Sequence, residues 1–334
     1  MIDLKKPKVY VTRQLFEKAV DLLKKHADIE VFEGEDNPVP REVLLKKVKK
    51  VDGLLCLLTD KIDTEVLDAG KNLRVVSNYA VGFNNIDIAE ATKRGVYVAN
   101  TSDILTETTA DCAFALMMCI ARRIAEADRH TRNGGWIHAW GPKMFLGSDI
   151  HGKTLGILGM GRIGTALTKR ARGFGMNVIY YDNIRRRDLE DELGIKHYSF
   201  RVLLKKSDFV SIHVPLTDAT YHMIGERELS SMKKTAFLIN TARGPIVAEE
   251  VLYHALKNKL IAGAGIDVFE KEPIDKDNPI LKLDNIVITP HIASASIDTR
   301  TNMAVLAATN LIDVLEGRVP TNLVNPDVVN VRPL

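Results

Sequence analysis

The chain is poor in cysteine and has almost no excess of charge of either sign. Its 334 residues include 3 cysteines, and 46 basic side chains nearly balance 43 acidic ones, which leaves a formal net charge of +3. Cys56, Cys112 and Cys119 form no close pair and lie in apolar runs, so we expect buried free thiols rather than redox centres or metal ligands. The small, scattered excess of positive charge predicts neither nucleic acid nor a membrane surface as a partner.

Long apolar segments are also missing. No run approaches the roughly 20 apolar residues that a membrane-spanning helix needs, and the segment from Met1 to Lys8 lacks the apolar centre of a signal peptide. We therefore expect a cytoplasmic protein. Hydrophobic residues make up 46% of the chain and charged residues 27%, an ordinary composition for a globular protein with a full core. The length favours two domains over one.

What the chain does contain is a regular alternation of short apolar strands and helical segments. The first hundred residues alternate from PKVYVTR to VYVANT, and the alternation resumes at Thr154 and continues to ITPH. Helices between hydrophobic strands predict parallel sheets covered on both faces, which is an α/β fold. The segment from Leu105 to Asn133 has no proline or glycine and carries a wide apolar stripe, so we predict one long helix there.

Residues 154–182 read TLGILGMGRIGTALTKRARGFGMNVIYYD and combine a strand, a glycine turn, a helix and a second strand. Gly159 permits the sharp turn, Gly161 lets backbone N–H groups approach a pyrophosphate, and Gly164 lets helix and strand pack closely. Asp182 ends the second strand, where a carboxylate accepts hydrogen bonds from the adenosine ribose. This combination predicts a dinucleotide site. The alternative is an ordinary βαβ unit with a glycine-rich turn.

The residues after the second strand leave the choice of dinucleotide open. Asp182 would repel a 2′-phosphate, which favours NAD. Arg185, Arg186 and Arg187 follow closely and could clamp that phosphate if Asp182 turned away, or they could simply begin a solvated helix. We expect NAD as the cofactor, with NADP as the alternative.

Polar side chains follow several strands of the second half of the chain. Arg243 comes directly after FLINTA, Asp267 lies in GAGIDVF, Glu272 in KEP, and His291 follows IVITP. Ligands bind beyond the carboxyl ends of parallel strands. An arginine can hold a carboxylate by two parallel hydrogen bonds, and a histidine beside a carboxylate can donate a proton near neutral pH. Each residue alone could instead be an ion pair, a turn residue or a core histidine.

These residues lie in stretches that resemble the D-2-hydroxyacid dehydrogenases, and especially their glyoxylate and hydroxypyruvate reductase branch. The stretches extend over nearly the whole chain and are YAVGFNNIDI, TADCAFALMMCIARR, GKTLGILGMGRIG, SDFVSIHVPLTDATYHMI, LINTARGPIV, AGAGIDVFEKEP and ITPHIAS. The resemblance implies a Rossmann-type doubly wound parallel sheet over residues 101–292. It also implies that this nucleotide domain is inserted into a smaller flavodoxin-like substrate domain, residues 1–100 and 293–334.

The same resemblance implies roles for individual residues. Arg243, Glu272 and His291 carry catalysis, Asp267 faces the nicotinamide, and no metal is required. The implied substrate contacts are Val81, Gly82, Trp140, Arg243 and His291. The implied cofactor contacts are Thr109, Gly159, Met160, Arg162, Gly161, Ile163, Gly164, Asp182, Asn183, Ile184, Pro215, Thr220, Thr241, Ala242, Arg243, Asp267, His291 and Ala293.

The implied activity is the reduction of a small 2-oxo acid, glyoxylate or hydroxypyruvate, to the D-2-hydroxy acid with NAD(P)H. By the same resemblance the helix from Leu105 and the loop after it form the arm of a homodimer. Two alternatives remain open: another D-2-hydroxyacid dehydrogenase, of the phosphoglycerate or lactate type, and a non-catalytic NAD-sensing protein like the corepressors that share this fold. A formate dehydrogenase is disfavoured because that branch has glutamine in place of Glu272.

Overall fold

The structure is a computed structural model and describes residues 6–34 and 37–334. The chain folds into two compact units. The first unit contains the chain up to Leu105 and again Ser296–Leu334, and the second is Thr106–Ala295. The boundaries predicted from the sequence, after residues 100 and 292, fall a few residues before the ones that the structure shows.

The first unit contains a five-stranded parallel sheet. Its elements are, in chain order, β1 (Lys8–Val11), α1 (Glu17–His26), β2 (Asp28–Val31), α2 (Arg41–Val48), β3 (Gly53–Cys56), α3 (Thr64–Ala69), β4 (Val75–Asn78), α4 (Ile88–Lys93) and β5 (Tyr97–Ala99). The strand order is β2-β1-β3-β4-β5, the order of flavodoxin. Apolar clusters lie on both faces of the sheet, and every residue of β3, β4 and β5 is buried.

The second unit contains a seven-stranded parallel sheet. Its elements are α5 (Thr106–Ala121), α6 (Ile124–Arg132), β6 (Thr154–Leu158), α7 (Arg162–Gly173), β7 (Asn177–Tyr181), α8 (Arg187–Leu193), β8 (Lys196–His197), α9 (Phe200–Lys206), β9 (Phe209–Ile212), α10 (Glu226–Ser231), β10 (Phe237–Asn240), α11 (Glu249–Lys257), β11 (Gly263–Ile266) and β12 (Ile286–Ile288). The strand order is β12-β11-β10-β9-β6-β7-β8. The order reverses between β6 and β9, as in a Rossmann-type doubly wound sheet, so the predicted fold class is confirmed.

The chain then returns to the first unit with two helices, α12 (Ile297–Leu315) and α13 (Val328–Val331). The Ser296 hydroxyl accepts a hydrogen bond from the Thr299 N–H and so caps α12. Leu311 of α12 packs against Gly53, where an added Cβ would lie 3.3 Å from its side chain. Among the described residues, no helix is both long enough and apolar enough to span a membrane.

The prediction of one long helix from Leu105 to Asn133 is wrong, because the chain breaks between α5 and α6. Arg123 adopts a left-handed conformation with φ of +56°. The carbonyl oxygen of Ala121 accepts a hydrogen bond of 2.8 Å from the Ser148 N–H, and Gly147 approaches that oxygen so closely that a Cβ would lie 2.3 Å away. A distant loop thus supplies the hydrogen bond that the next turn of the helix would otherwise donate to Ala121. The local sequence does not reveal this contact.

The cysteine prediction is only partly correct. All three thiols are free, as expected, but only Cys56 is fully buried. Cys112 and Cys119 lie on α5, a helix whose other face packs on the sheet of the second unit, and both are partly exposed. Their apolar neighbours in sequence therefore do not guarantee complete burial on a helix, since successive residues face different sides.

Candidate active site

The glycine turn after β6 has the geometry of a nucleotide-binding loop. Gly159 has φ of +94°, and a Cβ there would lie 2.7 Å from the carbonyl oxygen of His213. A Cβ at Gly164 would lie 2.3 Å from the carbonyl oxygen of Gly159, whereas one at Gly161 would meet nothing within 4 Å. Gly159 and Gly164 are therefore required by packing. Gly161 borders open space at the N-terminus of α7, where an anionic ligand can approach the backbone.

Asp182 fixes the shape of this turn. Its Oδ2 accepts a hydrogen bond of 2.7 Å from the Met160 N–H, and its Oδ1 accepts one of 3.0 Å from the Ile184 N–H. The carboxylate therefore holds the glycine turn to the end of β7 through two backbone bonds. Its predicted contact with a ribose stays a prediction.

The arginines after Asp182 are largely paired with acids of α8. Arg185 makes a bidentate pair with Glu190, with distances of 2.9 and 2.7 Å, and Tyr180 donates to the same carboxylate at 2.7 Å. These bonds lower the pKa of Glu190 to about 2. Arg186 pairs with Asp188 at 2.7 Å. Two of the three arginines are thus paired with carboxylates, and Nη1 of Arg186 also donates to the Met160 carbonyl oxygen of the glycine turn at 3.2 Å.

His213 lies at the carboxyl end of β9, next to the glycine turn. Burial lowers the pKa of His213 to about 4, so the ring is neutral at physiological pH. Its Nε2 is 2.8 Å from the Ser211 hydroxyl, and its carbonyl oxygen packs against Gly159. Sequence reasoning missed this residue. The signal was present, because HVP directly follows a buried strand, as the other predicted site residues do.

Arg243 is carried by a tight turn after β10. The side chain of Asn240 accepts from the Ala242 N–H and donates to the Arg243 carbonyl oxygen, both at 3.0 Å. At Gly244 a Cβ would lie 1.9 Å from the carbonyl carbon of Phe269, so the turn presses against the segment that leads to Glu272. Burial lowers the pKa of Arg243, and the negative charge of Glu272 opposes this effect. The guanidinium remains charged at neutral pH.

Glu272 and His291 form a direct pair. The carboxylate Oε2 lies 2.6 Å from Nδ1 of His291, and Oε1 accepts a hydrogen bond of 3.0 Å from the Phe269 N–H. Burial raises the pKa of Glu272, but the bond to His291, the Phe269 N–H and the charge of Arg243 together hold it below its usual value. The structure therefore brings the three predicted catalytic residues into one electrostatic group at the carboxyl ends of β10, β11 and β12.

His291 has an unusual backbone conformation, with φ of +55°. For a residue other than glycine such a conformation costs roughly 1–2 kcal/mol. The neighbouring Asp267 is completely buried, with 0% exposure. Its backbone carbonyl accepts from the His291 N–H at 2.8 Å, and its side chain accepts from the Thr289 hydroxyl and from the N–H groups of Ile292 and Ala293. The predicted contact of Asp267 with a nicotinamide stays a prediction.

The residues at this sheet edge fit a bound dinucleotide. The Thr241 hydroxyl, at the end of β10, is buried and has no hydrogen-bond partner among the described residues. A buried hydroxyl normally has a partner, so a ligand at this edge would supply the missing one. Thr220 donates to the Pro215 carbonyl oxygen at 2.6 Å and closes a turn beyond β9, and Thr109 is buried on the first turns of α5. Their contacts with a cofactor stay predictions.

The predicted substrate contacts of Val81, Gly82 and Trp140 stay predictions. Val81 and Gly82 belong to the first unit, where their carbonyl oxygens accept hydrogen bonds of 2.8 Å from Asn100 and 2.9 Å from Asn78. Their N–H groups donate no bond within the described part of the chain and are therefore available to a ligand. Trp140 is 78% exposed.

Comparisons with known proteins show the family of this chain. Residues 114–293 match the family described as "D-isomer specific 2-hydroxyacid dehydrogenase, NAD binding domain". A protein named glyoxylate reductase from Korarchaeum cryptofilum is 55% identical over 328 residues, which cover 98% of each chain. The crystal structure of the TT0316 protein from Thermus thermophilus is 43% identical with a TM-score of 0.89, and the match covers 95% of this chain and 99% of that one.

A further solved structure contains ligands. It is an NADPH-dependent glyoxylate/hydroxypyruvate reductase from Sinorhizobium meliloti in complex with NADP and malonate, 29% identical with a TM-score of 0.84 over 97% of this chain and 98% of that one. The family match, the fold and the similarity over the full chain therefore agree with one another. The chain belongs to the D-isomer-specific 2-hydroxyacid dehydrogenase family and is an NAD(P)-dependent oxidoreductase.

Proposed function

We propose that the protein reduces glyoxylate, and by the same chemistry hydroxypyruvate, to the D-2-hydroxy acid with NADH as the electron donor. The observation that carries the proposal is the 2.6 Å pair of Glu272 and His291 beside the charged Arg243. The name of the relative that is 55% identical supports glyoxylate as the substrate. Hydroxypyruvate is supported by the name of the Sinorhizobium meliloti structure.

Arg243 binds the carboxylate of the 2-oxo acid. Within the described chain its guanidinium makes one side-chain hydrogen bond, from Nη1 to the neighbouring Ala242 carbonyl oxygen at 2.7 Å. The remaining N–H groups can form two parallel bonds to a carboxylate. The same positive charge stabilises the negative charge that develops on the substrate carbonyl oxygen during reduction.

His291 donates the proton. Because Nδ1 is bonded to Glu272, Nε2 is the ring nitrogen that faces the substrate, and the ionised Glu272 stabilises the protonated ring. The backbone at Gly161 would hold the pyrophosphate of a bound dinucleotide, and the unpartnered Thr241 hydroxyl would bond to the same cofactor. The nicotinamide of that cofactor would supply the hydride for the carbonyl carbon. The carbonyl thus gains one hydride and one proton and becomes a hydroxyl group.

The surroundings of Asp182 favour NADH over NADPH. Both carboxylate oxygens of Asp182 are held in place by backbone N–H groups, so the charge cannot easily turn away from a 2′-phosphate. Arg185 and Arg186, which could neutralise such a phosphate, are paired with Glu190 and Asp188. A 2′-phosphate would therefore meet an acid before it met a free arginine.

The loop after α6 supports a homodimer. Four large apolar side chains of this loop, Trp136, Ile137, Trp140 and Leu146, are all more than half exposed. Exposed apolar surface of this kind commonly marks a protein contact. The family resemblance gives this loop the same role. Measurement of the molar mass in solution tests the dimer, and a monomer would contradict it.

The decisive experiment measures NADH oxidation with a panel of 2-oxo acids in wild type and in His291→Ala. We expect glyoxylate to be the best substrate, and we expect the variant to lose nearly all turnover while it still binds NADH. His222→Ala is the matched control, since His222 forms a similar 2.7 Å pair with Glu270 that lies outside the proposed group.

Three outcomes would contradict parts of this proposal. Absence of NADH oxidation with every 2-oxo acid would reject the activity. A clear preference for pyruvate or 3-phosphohydroxypyruvate would instead assign another member of the family. Full activity of His291→Ala at neutral pH would remove His291 from the mechanism.

A further inference from the structure

In the loop that carries His291, three consecutive N–H groups donate to one residue, Asp267. The N–H of His291 donates to the backbone carbonyl of Asp267 at 2.8 Å. The next two N–H groups, of Ile292 and Ala293, donate to Oδ1 and Oδ2 of the same residue, both at 2.8 Å. Three successive backbone donors therefore end on Asp267, and the position of its carboxylate determines the course of the loop.

The orientation of that carboxylate depends in turn on Thr289. The Thr289 hydroxyl donates to Oδ1 at 2.6 Å, the shortest of the three hydrogen bonds to the Asp267 side chain. Thr289 itself is anchored by its N–H, which donates to the Ile266 carbonyl oxygen at 3.0 Å in continuation of the sheet. The sheet thus fixes Thr289, Thr289 fixes the Asp267 carboxylate, and the carboxylate fixes the loop.

The loop needs such support because His291 is held in a left-handed conformation, with φ of +55°. A left-handed conformation is uncommon for a residue other than glycine, so the surrounding hydrogen bonds help to hold it. A change in the backbone at His291 would move the imidazole away from Glu272, which it meets at 2.6 Å. The direction of Nε2 would change with it.

We propose that Thr289 is a positioning residue of the reductase, and that it acts through Asp267 to hold the His291 ring against Glu272. This inference rests on the proposed role of His291 as the proton donor. The backbone carbonyl of Thr289 also accepts from the His291 N–H, at 3.1 Å, but the Thr289 hydroxyl makes no hydrogen bond to Glu272 or to His291 among the described residues. The effect of the hydroxyl on catalysis therefore passes through the carboxylate of Asp267.

The test replaces Thr289 with valine, which has the same shape without the hydroxyl, and with serine, which keeps it. We expect Thr289→Val to lower kcat for glyoxylate about ten-fold, the effect of one lost hydrogen bond to a charged group. The KM for glyoxylate and the dissociation constant of NADH should change little. The alkaline limb of the kcat profile should move to lower pH, and Thr289→Ser should restore kcat and the profile.

A double-mutant cycle with Glu272→Gln separates positioning from general loss of stability. If Thr289 acts through the Glu272–His291 pair, the two losses in kcat will be less than additive. Fully additive losses, a wild-type kcat and pH profile in Thr289→Val, or failure of serine to restore them would each overturn the inference.

An NMR titration of the His291 ring provides a readout that does not depend on turnover. We expect the midpoint of the titration to differ between wild type and Thr289→Val and to return in Thr289→Ser. If Thr289→Val does not fold, Thr289→Ala takes its place in both measurements. A wild-type enzyme that reduces no 2-oxo acid would reject the proposed function, whereas an unchanged titration of His291 would reject the positioning role.

Discussion

Replacement of Glu272 with glutamine tests the catalytic group most directly. The carboxylate uses both oxygens, Oε2 for Nδ1 of His291 at 2.6 Å and Oε1 for the Phe269 N–H at 3.0 Å. Glutamine has the same shape but one acceptor oxygen, so one of the two donors must face an NH₂ group. The negative charge beside the imidazole is lost in either arrangement.

The size of the effect follows from the bond that is lost. A hydrogen bond to a charged group contributes about 1.5–3 kcal/mol, which corresponds to roughly a ten-fold to hundred-fold loss of kcat. The alkaline limb of kcat/KM should also move to lower pH, because a neutral amide stabilises the imidazolium less than a carboxylate does. Steady-state NADH oxidation with glyoxylate, measured from acidic to alkaline pH, gives both quantities.

Glu270→Gln is the matched control, since it removes the carboxylate of a different histidine–glutamate pair, the one with His222. We expect this variant to keep wild-type kcat and pH dependence. Equal kinetics of Glu272→Gln and wild type across the pH range would refute the reasoning, and so would an equally large loss in Glu270→Gln.

The same substitution should change the acid stability of the protein. The pKa of Glu272 is lower in the folded chain than its ordinary value of 4.5. Between these two values the unfolded state binds more protons, so the contribution of Glu272 is complete above about pH 4.5 and is lost as the pH falls through the folded pKa. Glu272→Gln should therefore show a weaker fall of Tm with acidification, measured by thermal unfolding.

Three further variants test the anchor, the glycine turn and the cofactor preference. Arg243→Lys should lower kcat/KM for glyoxylate roughly ten-fold to hundred-fold, because lysine cannot form two parallel bonds to the carboxylate; an unchanged value would contradict its role. Gly164→Ala should destabilise the protein by about 1–3 kcal/mol in denaturant unfolding, since its Cβ would lie 2.3 Å from a backbone oxygen. Gly173→Ala, which meets nothing within 4 Å on the same helix, should not destabilise it. Glu190→Gln should release Arg185 and raise the ratio of kcat/KM with NADPH to that with NADH by about ten-fold; a constant ratio would show that the pair does not control cofactor choice.

The features that the sequence predicts best are those encoded within a short segment. Gly164 is such a case, because a Cβ there would meet Gly159 and Ile157 of the same segment, whereas a Cβ at Gly159 would meet His213, a residue far away in sequence. The convergence of Arg243 and His291 was also predictable, for a different reason. They follow β10 and β12, which flank β11 in the sheet, and the carboxyl ends of parallel strands meet at one edge.

The break at Arg123 shows where such reasoning fails. Helix propensity and the apolar stripe continue through ARRIAEA without a proline or glycine. The helix ends because the Ser148 N–H donates a hydrogen bond to the carbonyl oxygen of Ala121, a contact between residues far apart in sequence. The local pattern of residues cannot predict where this helix ends, since the end depends on the position of a distant loop.

Asp267 illustrates the same limit at the site itself. Its position after a buried strand predicts a functional residue, but not what its carboxylate contacts. In the structure that carboxylate accepts hydrogen bonds from Thr289, Ile292 and Ala293, which lie 22 to 26 positions later in the chain. Since His291 lies inside this segment, the geometry of the proton donor depends on a residue that the sequence suggests only as a ligand contact. Motifs therefore indicate which residues meet at the sheet edge, and only the hydrogen bonds show how one of them holds another in place.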